Sequence, residues 1–142
     1  MSVCVIYSTT ARASGGRTGR AGTTDGAFQA TMTLPRELGG TGGEGVNPEQ
    51  LFATGYAACF LGVMTSMTSV DGPAIPPDAS VSVTVGVGPR IDGCGFGLDI
   101  SLVIALPHMP RDKAKELVAK ANESCPFSNA LRNNVDIRLT IA

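Results

Sequence analysis

Two segments near the middle of the chain place apolar residues at every second position. SVSVTVGV, 80–87, sets valine against serine and threonine, and FGLDISLVIAL, 96–106, lines up Phe96, Leu98, Ile100, Leu102, Ile104 and Leu106 on one face. A period of two predicts half-buried strands, and the glycines at 93 and 95 between them predict a tight turn and a hairpin. Strands are also predicted over 3–13 and 26–34, the second by alternation, with Phe28, Ala30, Met32 and Leu34 on one side. RTGRAGTTDG between them carries turn signals, and LPRELGGTGGEGVNP, 34–48, reads as a glycine-rich loop. VDIRLTI, 135–141, closes the chain as a strand with Val135, Ile137, Leu139 and Ile141 facing inward.

The helical signals are as clear. Asn47 is a good N-cap, Pro48 suits the first helical position, and Gln50 stands where a capping box needs it. Gly72 and Pro73 predict the stop. A helix of about 24 residues is about 35 Å long, the diameter of a small domain. No charge follows Glu49 until Asp71. That length raises the question of a membrane span, but threonines, serines and glycines dilute it, no second span exists and no basic flank sets an orientation. A helix buried on all sides by protein is the expectation. PRDKAKELVAKANES, 110–124, is an amphipathic helix, and CPFSNALRNN opens a short one with Pro126 at its first position. Strands, long helix, strands, helix and strand in that order predict an α+β domain over 1–142, with antiparallel or mixed sheets.

Composition narrows the function. The chain has 142 residues, 43% hydrophobic and 16% charged, with 18 glycines and a net charge of −1. That is one globular domain without the basic stripe that nucleic acid demands. The start, MSVCVIYSTTARAS, lacks the basic region and apolar core of a secretory signal, which predicts the cytoplasm and reduced thiols. Cys4, Cys59, Cys94 and Cys125 form no CxxC pair, and the chain has one histidine, which argues against zinc. By itself Cys59, inside the most apolar helix, reads as a buried small hydrophobe. His108 reads as a loop residue, Arg12 and Arg36 as surface, Tyr56 and Phe52 as packing. Asp99 and Asp136 form no evident acid pair. The loop 39–45 has no lysine, so it is no phosphate cradle.

Three stretches change the reading of Cys59: GGRTG with Arg17, ELGGTGGEGVNPEQLFATGYAACF with Glu49 and Cys59, and CPFSNA with Cys125. Together they resemble the organic hydroperoxide resistance (Ohr) branch of the OsmC/Ohr family over nearly the whole chain. The resemblance implies sheets wrapped around a long central helix in an intertwined homodimer. It implies a thiol peroxidase that reduces organic hydroperoxides to alcohols, with no cofactor or metal and a dihydrolipoyl-type dithiol as reductant. By motif it assigns Cys59 as the peroxide-reactive cysteine, Cys125 as the resolving one, and Arg17 and Glu49 as their helpers. Cys4 and Cys94 match no motif.

Chemistry agrees with that assignment. Burial disfavours a thiolate, so Cys59 needs a positive charge nearby. A guanidinium supplies one that does not titrate, and a carboxylate holds it by a bidentate pair. Cys125, at the edge of a short helix, has backbone donors near it. Glu49 and Cys59 share a helix face but stand about 15 Å apart along the axis, too far for one arginine to hold both at once. Either Arg17 moves, or the site is assembled across a dimer interface. Arg20 is the local competitor of Arg17. Two other readings remain: an OsmC-type enzyme of different peroxide preference, and a non-enzymatic redox sensor or binding module.

Overall fold

The computed structural model describes residues 2–71 and 74–142, without the side chains of 69–71. Two compact units appear, Met1–Leu51 and Phe52–Ala142.

In the first unit, β1 (Ala11–Ser14), β2 (Arg20–Thr23) and β3 (Gln29–Thr31) form an antiparallel sheet in the order β1-β2-β3. Residues 3–10, expected to be strand, are exposed and unpaired as strand, and the expected strand 26–34 contracts to 29–31. The segment with turn signals between them, 17–26, also holds β2. RAGT shows no apolar alternation; its neighbours make it a strand, pairing Ala21 with both Ala13 and Ala30. Single 3₁₀ turns stand at Gly16–Thr18 and Arg36–Leu38. Met32, 6% exposed, bridges to Val46 and brings the loop back to the helix start.

Helix α1 (Pro48–Asp71) begins where the sequence puts it. The capping box closes in both directions: the Gln50 amide donates to Asn47 Oδ1 at 2.9 Å, and the Asn47 amide to Gln50 Oε1 at 3.0 Å. The predicted stop at Gly72 and Pro73 lies outside the described residues.

In the second unit, β4 (Ser80–Pro89) and β5 (Phe96–Ala105) form the expected hairpin, with Gly93 and Gly95 at φ of 75° and 83° in its turn. Helix α2 (Arg111–Ser124) buries Ala114, Leu117, Val118 and Ala121, one stripe at helical spacing. Helix α3 (Pro126–Leu131) follows, and β6 (Ile137–Ile141) pairs parallel to β5, making a mixed sheet with β5 in the middle. The core joins Ile100, Leu102 and Ile104 to the stripe of α2 and to Tyr56, Phe60 and Met64 of α1. Those last three, at i, i+4 and i+8, are fully buried. The opposite stripe of α1, with Thr54, Ala58, Gly62 and Thr65, is exposed, so the chain alone buries one face of this helix rather than all of it. By length and composition Pro48–Thr68 is apolar enough to cross a membrane. Phe96 and Leu98, expected on the inward face of β5, are 66% and 37% exposed; that face runs on past the core that covers it.

Candidate active site

The first unit assembles one half of the expected constellation. Gly15, at φ 72°, starts the 3₁₀ turn, and the Gly19 amide closes it on Gly16 O. Arg17 projects from this turn to Glu49 in the first turn of α1. Nη1 donates to Oε2 at 2.9 Å and Nη2 to Oε1 at 2.6 Å, a bidentate fork. The carboxylate is the better shielded partner, 14% exposed against 40% for the guanidinium. Hydrogen bonding to Arg17 holds the Glu49 carboxyl below its ordinary range against the opposing effect of burial. The same bond holds the guanidinium protonated more firmly still. Arg20, three residues on, is exposed in β2.

The second unit assembles the other half. Cys59 is half-buried in the fourth turn of α1, and Cys125 is fully buried at the N-cap of α3. The Cys125 thiol donates to Cys59 Sγ at 3.9 Å, and both are free thiols. Burial pushes the Cys59 thiol up, and the neighbouring Cys125 pushes the same way, since two thiolates cannot sit that close. The backbone N–H of Phe127 donates to Cys59 and opposes them. The corner that carries Cys125 is pinned by Arg132, whose Nη2 donates to the carbonyls of Asn122 and Glu123 at 2.9 and 3.2 Å. These are end-of-helix carbonyls of α2 that lack helical partners.

Aromatic rings pack beside the thiols. Tyr56 stacks on Phe127 at 5.5 Å and meets Phe52 and Phe60 edge-on. Its hydroxyl, fully buried, lies 2.7 Å from Ser128 Oγ. Burial raises the phenol above its ordinary titration range, so it stays neutral. No local pattern points to this bond, because Tyr56 and Ser128 are 72 residues apart.

The four expected site residues therefore form two pairs, Arg17 with Glu49 and Cys59 with Cys125, each within one unit. Cys4 and Cys94 are exposed, and His108 lies in a loop. Among the described residues no group of three or more His, Cys, Asp or Glu side chains could hold a metal ion.

Residues 40–140 match the model of the OsmC-like protein family. Over 138 residues, 97% of this chain and 96% of the other, the sequence is 49% identical to an organic hydroperoxide resistance protein of Xanthomonas axonopodis pv. citri. The fold superposes on a crystal structure of an organic hydroperoxide resistance protein from Legionella pneumophila with a TM-score of 0.91, at 41% identity, covering 98% of this chain and 99% of that one. One from Vibrio cholerae, described as a putative organic hydroperoxide resistance protein with captopril in one of its active sites, superposes with a TM-score of 0.90, at 37% identity, over 99% and 95%.

Proposed function

Because the chain belongs to the OsmC/Ohr family, on its organic hydroperoxide resistance branch, we propose that it is a two-cysteine peroxidase for alkyl or fatty-acyl hydroperoxides. The observation that carries this reading is the pair of free thiols 3.9 Å apart, one half-buried and one enclosed. Membership already implies peroxide detoxification; the thiol cycle is the step added here.

In that cycle the Cys59 thiolate attacks the outer peroxide oxygen. An S–O bond forms, the O–O bond breaks, and the alkoxide takes a proton and leaves as an alcohol. Cys59 is then a sulfenic acid. The Cys125 sulfur attacks the sulfenic sulfur, water leaves, and a Cys59–Cys125 disulfide remains. A dithiol of the dihydrolipoyl class reduces it by exchange. Burial works against the first step, since it favours the thiol. The guanidinium held by Glu49, too far along the helix to reach the Cys59 of its own chain, is assigned the compensating role across the homodimer interface: it favours the thiolate and stabilises charge growing on the departing oxygen. The fork at Glu49 fixes its orientation in advance. Phe60 and Phe127 supply an apolar setting suited to a greasy peroxide. The working assembly is a homodimer, and the proposed compartment is the cytoplasm.

Steady-state consumption of cumene hydroperoxide, with lipoamide and its dehydrogenase as the reducing system, tests the cycle. The wild-type protein is expected to turn over. Cys59→Ser is expected to be inactive, and Cys125→Ser to consume about one equivalent and stop, with Cys59 open to over-oxidation. Turnover that survives Cys59→Ser, or equal loss of the first equivalent in both variants, would overturn the assigned roles.

A further inference from the structure

Helices α1 and α3 are joined by two side-chain contacts of matching geometry. Cys59 meets Cys125 at 3.9 Å, and Tyr56 meets Ser128 at 2.7 Å. Tyr56 stands three residues before Cys59, and Ser128 three after Cys125. Residues three apart on a helix are neighbours on one face. The two contacts are thus successive rungs between helix faces that run in opposite senses. The hydroxyl rung is sealed: Tyr56 is 0% and Ser128 2% exposed. Breaking it strands a polar group where water does not reach.

We propose that the Tyr56–Ser128 hydroxyl pair is a positioning device that holds Cys125 in register with Cys59 and so sets how fast the oxidised Cys59 is resolved. The proposal rests on the thiol cycle above and adds to it two residues acting through the cysteines. The step served is the condensation of Cys59 S–OH with Cys125 S–H. An S–S bond forms, the S–O bond breaks, and the thiol proton leaves with the hydroxide as water. The Cys125 sulfur is oxidised, and the Cys59 sulfur is reduced from the sulfenic to the disulfide level; the oxidant is the organic hydroperoxide. The sulfurs must close from 3.9 Å to about 2.05 Å. A corner fixed one turn away presents Cys125 at high effective concentration, whereas a loosened one searches for its partner.

Tyr56→Phe keeps the ring and removes the hydroxyl; Ser128→Ala removes its partner. After a single equivalent of cumene hydroperoxide, quenched flow with a sulfenic-acid trap and intact mass follows sulfenic acid, disulfide and sulfinic acid. In both variants peroxide attack is expected to keep its wild-type rate. Condensation is expected to slow about tenfold, the scale of one lost buried hydrogen bond, with more sulfinic acid under excess peroxide. The double variant is expected to be no slower than the slower single one, because it leaves no orphaned hydroxyl. Wild-type condensation in Tyr56→Phe and Ser128→Ala, or equal slowing of attack and condensation, would overturn the proposal. A parallel oxidation with diamide closes the disulfide without peroxide. A wild-type protein that closes with diamide but ignores peroxide refutes the cycle and leaves the rung standing if the variants close slowly. Equal closure by wild type and variants refutes the rung alone.

Discussion

Glu49 is pulled two ways, and the balance makes Arg17 measurable. The hydrogen bonds from Arg17 lower its pKa, and burial raises it. In a carboxyl carbon NMR titration the wild-type Glu49 is expected to titrate below about 4.3, the ordinary glutamate value. In Arg17→Ala burial is opposed only by the hydrogen bond from the Glu49 backbone N–H, so the midpoint is expected to rise toward the ordinary value. Because the folded-state value is depressed, the stability contributed by the fork is fully present above the ordinary value. It is lost as the pH falls through the depressed one. The unfolding midpoints of wild type and Arg17→Ala are therefore expected to converge as the solution is acidified through that window. A Glu49 midpoint unmoved by Arg17→Ala would remove the fork from the argument. At this scale the sequence was legible where partners are close or lie in a recognisable motif. Asn47 and Gln50 announce their reciprocal bonds by spacing alone. Tyr56 and Ser128 do not, because nothing local distinguishes a tyrosine that stacks from one that also anchors a distant corner.

The element that aims Arg17 is the turn between β1 and β2, and one glycine decides whether it closes. A Cβ at Gly19 would come within 1.8 Å of Ser14 O and 2.7 Å of the Gly15 Cα. Both are backbone atoms, so the turn itself must open. Gly19→Ala is expected to fold with the second unit intact, yet to move the Glu49 midpoint as Arg17→Ala does and to slow peroxide attack. Wild-type values for both would show that the turn does not aim the guanidinium. The same region shows where pattern reading stops. Alternation records which side chains share a face; it does not record whether a backbone finds a partner. Residues 3–10 are expected as strand yet join no sheet among the described residues, whereas the plain RAGT of β2 is paired on both sides. Where a face is buried over many residues, as in β4, β5 and α2, the pattern and the structure coincide, because burial itself imposes the period.

For the whole molecule, the expected homodimer rests on two surfaces of the second unit. On β5 the side chains of Ile100, Leu102 and Ile104 are fully buried, yet Phe96 and Leu98 on the same face are exposed. On α1 the stripe of Thr54, Ala58, Gly62 and Thr65 is exposed and carries no charge. A water-facing helix face usually bears charges, so an uncharged one calls for a covering partner. Gly62 separates the two possibilities. A side chain built there meets nothing within 4 Å in the single chain. Glutamate is also a better helix former than glycine by up to about 1 kcal/mol, so in a monomer Gly62→Glu is expected to be neutral or stabilising. Against a second copy the same carboxylate loses its water without gaining a partner, a cost that a close helix contact cannot absorb. Light scattering behind size exclusion is expected to give twice the chain mass for the wild type. Gly62→Glu is expected to shift toward the single chain at micromolar concentration, with its helical circular dichroism retained. A wild-type protein of single-chain mass, or a Gly62→Glu protein that dimerises as tightly as wild type, would mean that this stripe of α1 faces solvent.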